Sequence, residues 1–269
     1  MPITVLKIGG SILIDRSAYR TVAGFIHDRI AAGAEKLVVV VSAQYGETDR
    51  LLDEARSIVP EPDPAALDLL WSTGEQRSVA LLALELHRLG VAAAGLNVHE
   101  TGLFLPAGER SVLRVELNDL RIRAALSRSD VVVAPGFLAR GPSDAIVSLG
   151  RGGSDLTAVC LARDLGATGC ELLKDVPGYF DRDPNLYADA RPIRELTFDA
   201  ALAMADAGCD LVQREAIAVA QAADLPIVVH SLGDRTRQTT LGSECRMKDA
   251  ECRTENALAL SAASERGAV

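Results

Sequence analysis

The chain has 269 residues, 48% of them hydrophobic, and a formal net charge of -9. That length suits one large α/β domain or two closely packed lobes with an ample core. The acidic balance argues against a nucleic-acid or anionic-membrane surface, and no apolar run approaches the roughly 20 residues of a membrane span. An anionic ligand must therefore be held by a few local cations.

Ile3 to Ile8 reads as a buried strand that brings Lys7 to its end and runs into Gly9, Gly10 and Ser11. A lysine there, followed by two glycines, presents an ammonium beside bare backbone amides, an arrangement that cradles a phosphoryl group. The spacing is neither a Walker A loop nor the dinucleotide G-x-G-x-x-G. The alternative is a lysine at the solvent end of a strand.

Ser17 to Ala32 carries apolar residues at helical spacing, with Ser17 as N-cap and Gly33 as the stop. Leu37 to Val41 is a β-branched run of the kind found in central parallel strands covered on both faces. It leads into the segment from Ser42 to Asp49. Because ligands of open parallel sheets bind beyond the carboxyl ends of strands, Ser42 and Thr48 are candidate hydroxyl contacts. Alternatively, Ser42 bonds the turn and Thr48 caps a helix beginning at Asp49.

The stretch PEPDP at 60 to 64 marks a loop before a long helix from Ala65 to Gly90, with Ser72 to Glu75 inside or interrupting it. Glu75 is a candidate partner for a substrate ammonium; from pattern alone an ordinary surface carboxylate is the stronger reading. Val91 to Leu96 reads as a strand, His99 to Glu116 as an irregular or hairpin insertion, Leu117 to Ser127 as a helix and Asp130 to Ala134 as a strand. LARGPSDAIVSLG then signals a hairpin. It feeds SLGRGGSDL at 148 to 156, where two adjacent glycines, Arg151, Ser154 and Asp155 open a helix that ends near Gly166. Gly152 and Gly153 permit close backbone approach, and a helix N-terminus favours anions. The alternative is plain strand-to-helix punctuation.

Cys170 to Leu173 is another strand, leading into a polar loop with Lys174, Asp175, Gly178, Tyr179, Arg182 and Asp183, suited to an adenine base and its phosphates or to a simple surface excursion. Helices follow over Thr197 to Ala207 and Arg214 to Ala223, with a turn at Gly208, and Ile227 to His230 is the last convincing strand. Strands and helices alternate throughout, which implies a parallel α/β sheet with helices on both faces. The odd, scattered set of Cys160, Cys170, Cys209, Cys245 and Cys252 lacks metal-ligand spacing, and the chain enters a strand without a visible secretory signal, so the expected location is cytoplasmic.

KIGGS at 7 to 11, VVSAQYGETD at 40 to 49, STGEQRS at 72 to 78, PGFLARGP at 135 to 142, SLGRGGSD at 148 to 155 and KDVPGYFDRDP at 174 to 184 resemble, in this order, the amino acid kinase family. The wording is closest to the catalytic domain of aspartate kinases. The resemblance implies a three-layer αβα sandwich around a mainly parallel sheet, carbamate-kinase-like, over 1–242. Within it, about 1–147 would bind an amino acid and about 148–242 a nucleotide, with 243–269 a charged tail. It implies ATP and Mg²⁺ as cofactors and transfer of the γ-phosphoryl group to a carboxylate, with L-aspartate as acceptor and 4-phospho-L-aspartate as product. Lys7, Gly10 and Asp155 would be catalytic, and Lys7, Gly9, Gly10 and Ser11 would hold the phosphoryl group. Ser42, Thr48, Glu75, Arg151, Gly153 and Ser154 would hold the amino acid. Lys174, Asp175, Tyr179, Arg182 and Asp183 would hold the nucleotide. The implied partners are small acidic amino acids, with no nucleic acid or membrane, and a homodimer is the family's habit.

Three departures stand out. The start reads KIGGSI where aspartate kinases read KFGGTS; residues 210 to 215 read DLVQRE in place of KVLHPR; and Lys174 stands where a threonine is usual. The expectation is that Lys174 supplies the cation that Asp210 replaces. The short tail after 242 leads to the further expectation of no feedback inhibition by lysine or threonine. Two other readings remain: a kinase for a different acidic amino acid or analogue, and a catalytically silent nucleotide- or anion-binding protein.

Overall fold

The computed structural model describes residues 1–33, 35–106, 114–150, 152–184 and 186–243. The elements run β1 (Ile3–Ile8), α1 (Arg16–Ala32), β2 (Lys36–Val41), α2 (Glu47–Ile58), α3 (Pro64–Arg88), β3 (Ala93–Gly95), α4 (Val98–Thr101), β4 (Leu103–Phe104), β5 (Glu116–Leu117) and α5 (Leu120–Leu126). They continue with β6 (Val131–Pro135), β7 (Leu138–Arg140), β8 (Ile146–Ser148), α6 (Gly153–Leu165), β9 (Gly169–Leu173), β10 (Glu195–Thr197), α7 (Phe198–Asp206), α8 (Arg214–Ala222), β11 (Ile227–His230) and β12 (Thr239–Gly242).

Eight strands form one sheet in the order β10-β12-β11-β9-β1-β2-β6-β3. From β11 to β3 every pairing is parallel; β12 joins antiparallel to β11, and β10 pairs with it. The β-branched runs of β1, β2 and β6 are buried on both faces, as a sheet covered by helices requires. One face carries Leu6, Ile8, Val39 and Val41 against Tyr19, Val22 and Ile26 of α1 and Val79, Leu82 and Leu86 of α3. The other carries Val5, Val38, Val40 and Leu172 against α5, α6, α7 and α8. This is the expected three-layer arrangement. A second sheet, β5-β4-β7-β8, includes the expected hairpin between β7 and β8.

The chain passes from β1 to β2 and β6 on one side of the sheet, then crosses to β9 and β11 on the other. The β1–β9 boundary is thus a topological switch point, and the carboxyl ends of these strands face the crevice where ligands of such sheets bind.

Several sequence expectations need correction. The cap of α1 is Asp15, whose carboxylate accepts from the amides of Ser17 and Ala18, so Ser17 lies inside the helix. Thr48 does not cap α2, which begins at Glu47 after left-handed Gly46. The long helix runs unbroken through Ser72 to Glu75 and is capped by Asp63. His99 to Glu116 holds most of α4, which a reciprocal Asn97–Glu100 capping box opens, and β4. The strand at Ile227–His230 is not the last, because the short polar β12 follows it and inserts between β11 and the edge strand β10. Cys245, Cys252 and the tail expected over 243–269 lie, beyond Ser243, outside the described residues.

Candidate active site

Alternation along β1 puts Lys7 on the α6 side of the sheet, beside Val5, and parallel pairing aligns it with Leu172 of β9. Two residues further, Lys174 emerges on the same side. Both lysines converge on Asp155 in the first turn of α6: Lys7 Nζ lies 2.7 Å from Oδ1, and Lys174 Nζ lies 2.8 Å from Oδ2. The amide of Gln213, just before α8, donates to the same Oδ2 at 3.2 Å. Burial works against charge on Asp155, but Lys174 and Lys7 outweigh it and hold the carboxyl well below the usual carboxylate range. Burial, assisted by Lys7 and opposed by Asp155, brings the Lys174 ammonium down to about 8. Two cations share one anion here, so net positive charge remains for an incoming phosphate.

The turn after β1 folds against this cluster. The amide of Gly9 is committed to Leu173 O at 3.3 Å, so of the three amides expected at a phosphoryl group this one is already used. The amides of Gly10 and Ser11 make no hydrogen bond among the described residues. A Cβ on Gly10 would come within 3.0 Å of Ala43 O, so this turn packs against the loop after β2 only with glycine. Ser11 Oγ donates to Asp175 Oδ1 at 3.0 Å, tying the phosphate turn to the loop after β9.

A cleft of about 560 Å³ opens from Lys7, Gly10 and Ser11 to Ser42, Thr48, Glu75, Gly153 and Ser154. Ser42 Oγ donates to Ser154 Oγ at 3.0 Å, joining the β2 loop to the start of α6. Glu75 is not the surface carboxylate that its pattern favoured; it is 3% exposed. Gly74 explains how: a Cβ there would meet Glu47 Cγ at 3.2 Å and Ala43 Cβ at 3.3 Å, so glycine lets α3 approach the loop after β2. Burial pushes the Glu75 carboxyl up to about 8, against the Ala43 amide and the Lys7 charge. Its Oε2 is buried without a partner, a costly state unless a ligand donor completes it.

On the far side of Asp155, Gly178, Tyr179, Arg182, Asp183 and Asp210 line a second cleft of about 310 Å³. Tyr179 is buried, its hydroxyl lacks a partner, and burial, then Cys209 and Asp155, push it well above its ordinary pKa. A Cβ on Gly178 would collide with Thr239 Oγ1 at 2.5 Å, so this loop seats on β12 through that glycine. Asp210 does face this cleft, as an anion on the side expected to hold a nucleotide. Among the described residues no group of three His, Cys, Asp or Glu forms a metal cage. A magnesium ion carried on nucleotide phosphates needs only one or two protein oxygens, and Asp175, beside Ser11, fits that need.

Arg151 lies outside the described residues. Of the remaining expected residues, the structure gathers Lys7, Gly10, Ser11, Ser42, Thr48, Glu75, Gly153, Ser154, Asp155, Lys174 and Asp175 around the first cleft and places Tyr179, Arg182 and Asp183 at the second. Sequence reasoning missed Gln213, which clasps Asp155 and whose buried Oε1 is unpartnered, and Trp71, Tyr45 and Phe137 on the cleft wall. Trp71 precedes Glu75 by four residues, hence on the same helix face, and that spacing was the available signal.

A family model described as "Amino acid kinase family" matches residues 2–231. An aspartokinase from Geobacillus stearothermophilus is 34% identical over 248 residues, 92% of this chain and 61% of that protein. The crystal structure of aspartate kinase from Synechocystis superposes with a TM-score of 0.79 at 33% identity, covering 91% of this chain and 40% of that one. Carbamate kinase from Giardia lamblia shares the fold, with a TM-score of 0.62 at 15% identity over 90% of this chain and 99% of that one. The chain spans 53% to 61% of the length of the curated relatives it matches.

Proposed function

The chain belongs to the amino acid kinase family, and from that premise we propose that it transfers the γ-phosphoryl group of ATP to the side-chain carboxylate of an acidic amino acid, L-aspartate first. The observation that carries this reading is the pair of ammonium groups, Lys7 and Lys174, bridged by Asp155 at 2.7 and 2.8 Å where the strand ends open into a cleft floored by Glu75.

The acceptor carboxylate is ionised at neutral pH, so no general base is needed. Its oxygen attacks the γ-phosphorus, the bond to the β–γ bridging oxygen breaks, and the electron pair leaves with ADP. Lys7, with the free amides of Gly10 and Ser11, neutralises the charge that spreads over the phosphoryl oxygens. Lys174 adds the second cation on the nucleotide side, in place of the one that Asp210 does not provide. Asp155 fixes both lysines and itself touches no phosphate oxygen. Asp175 would hold a magnesium ion carried with ATP, whose charge would offset that of the phosphates. Glu75 receives the acceptor's ammonium, Ser42, Thr48, Gly153 and Ser154 line its pocket, and the role of clamping the acceptor's carboxylate goes to Arg151 on the family resemblance alone. On this reading residues up to about 147 supply most of the amino-acid side, and 148–242 supply the nucleotide side through Tyr179, Arg182 and Asp183.

The test is ATP and Mg²⁺ with a panel of acidic amino acids, trapping acyl phosphate with hydroxylamine. Hydroxamate from aspartate supports the proposal. Hydroxamate from a different acid alone reassigns the acceptor. Nucleotide binding with no hydroxamate from any acid leaves the silent-protein reading, which Asp210 in the second cleft favours.

A further inference from the structure

We infer that Trp71 is the specificity-determining residue for acceptor size: its indole is a fixed wall of the acceptor cleft. The inference rests on the proposed function in taking the occupant to be a small acid whose ammonium meets Glu75. Trp71 lines the cleft one helical turn before Glu75, about 6 Å along the same face of α3. An acceptor whose ammonium meets Glu75 therefore packs its carbon skeleton beside the indole.

The wall is held from two directions. Trp71 Nε1 donates to Thr48 O at 3.2 Å, so the ring is tied to the first turn of α2, which carries the candidate hydroxyl. The ring meets Phe137 edge to face, with ring centroids 5.6 Å apart and planes at 68°. Phe137 is itself constrained: it adopts a left-handed φ of 68°, unusual for a bulky side chain. Its amide donates to Thr157 Oγ1 at 3.1 Å. A Cβ on Gly153 would stand 3.3 Å from both Phe137 Cα and Cδ2, so the phenylalanine presses on the start of α6. The indole thus joins the first turn of α2 to the start of α6 by way of Phe137 and has little freedom to yield to a longer ligand.

A rigid apolar wall discriminates by volume, and one extra methylene in such a pocket changes kcat/KM by about 10–200-fold. The experiment compares the four-carbon and five-carbon amino dicarboxylates as acceptors for the full chain and its Trp71→Leu and Trp71→Phe variants. Trp71→Leu is expected to raise the ratio of kcat/KM, five-carbon over four-carbon, at least tenfold, chiefly through KM for the longer acid and with KM for ATP unchanged. Trp71→Phe, which keeps the wall but loses the Thr48 bond, is expected to keep the ratio within about threefold while raising KM for both acids. An unchanged ratio in Trp71→Leu, with wild-type turnover intact, overturns this inference alone.

Trp71 is the only tryptophan in the chain, so its emission gives a second readout if Trp71→Leu does not fold. A saturable emission change in the wild type on adding the four-carbon acid, absent with the five-carbon acid at equal concentration, supports the wall with or without turnover. Turnover of an acid that leaves the emission unchanged overturns it. Neither turnover nor an emission change with any acid overturns the inference together with the proposed function.

Discussion

Two buried charged clusters flank the same pair of central strands, and they differ in one respect. On the α1 side, Glu171 of β9 accepts from Arg29 at 2.7 and 2.8 Å, from His230 Nε2 at 2.9 Å and from Arg235 at 3.2 Å. Arg29 also donates to Glu35 at 2.6 Å, and Glu35 accepts from Thr4 at 2.7 Å. Every carboxylate in this network has partners. On the α6 side, Lys7, Lys174 and Asp155 are also largely buried, yet Glu75 Oε2, Tyr179 OH and Gln213 Oε1, around and beside that cluster, are the buried side-chain atoms left without partners among the described residues. Burial of charge is common to both, so it does not mark function. Unspent hydrogen-bonding capacity facing a cleft does, because that capacity waits for a ligand.

Substitutions can break this comparison by moving stability and activity separately. The largest expected effect is on the cleft side: Lys7→Met should lower kcat by about 10³-fold, in the range of losing a preorganised transition-state donor. Its unfolding midpoint should stay near wild type, because Asp155 keeps Lys174. Steady-state kinetics beside thermal unfolding check this, and a midpoint collapse with kcat retained would merge the two clusters into one structural class.

On the paired side the order reverses. Glu171→Gln leaves Arg29 in a buried site with a weakened partner and should cost about 3 kcal/mol of stability, measured by urea unfolding, with kcat within about twofold of wild type under conditions where the variant is folded. The pH dependence has a definite sign. Burial disfavours charge on Glu171, but His230 and Arg29 bring its carboxyl down to about 2, against an ordinary value of 4.5. The unfolded chain therefore takes up this proton first, and the stabilisation is complete above 4.5 and lost as pH falls towards 2. Glu171→Gln should flatten acid unfolding in that window.

A smaller effect is expected from Lys174→Arg. With the ammonium near 8, kcat/KM for ATP should fall on the alkaline side of that pH in the wild type as the cation is lost. An arginine stays charged, so the alkaline limb should move upward by more than one pH unit, a shift set by the gap between the two groups' pKa values. Coincident pH profiles for the two proteins would remove Lys174 from the phosphate site. The smallest effect belongs to Arg235→Met. Arg235 is half exposed, and such an ion pair contributes about 0.5 kcal/mol, so its urea midpoint should barely move.

Much of the fold was legible because continuous β-branched runs such as Leu37 to Val41 admit few other environments. The strands β10 and β12 were not. Glu195–Thr197 and Thr239–Gly242 are short and polar, and their strand identity comes from pairing with each other and, for β12, with β11 rather than from pattern. The helix break allowed at Ser72 to Glu75 failed because Gly74 serves close packing against Ala43, not a turn. For the site, Lys7 beside Gly9 and Gly10 suggested a phosphoryl cradle, but its meeting with Asp155 was reachable only through the family resemblance, since nothing local links residues 148 positions apart. Glu75 looked like a surface residue because its burial depends on the approach that Gly74 permits. Gln213 was invisible because its contribution to Asp155 is a backbone amide, which any residue type supplies.

The account stands or falls on a carboxylate oxygen attacking the terminal phosphorus between Lys7 and Lys174. Aspartate labelled with ¹⁸O in its side-chain carboxylate, incubated with the chain, ATP and Mg²⁺ and then quenched with hydroxylamine, tests that directly by mass spectrometry of the released phosphate. Hydroxylamine displaces phosphate at the carbonyl carbon, so the bridging oxygen leaves with phosphorus, and the account predicts a single ¹⁸O in the phosphate for each hydroxamate formed. Released phosphate carrying only solvent or ATP oxygen would contradict it.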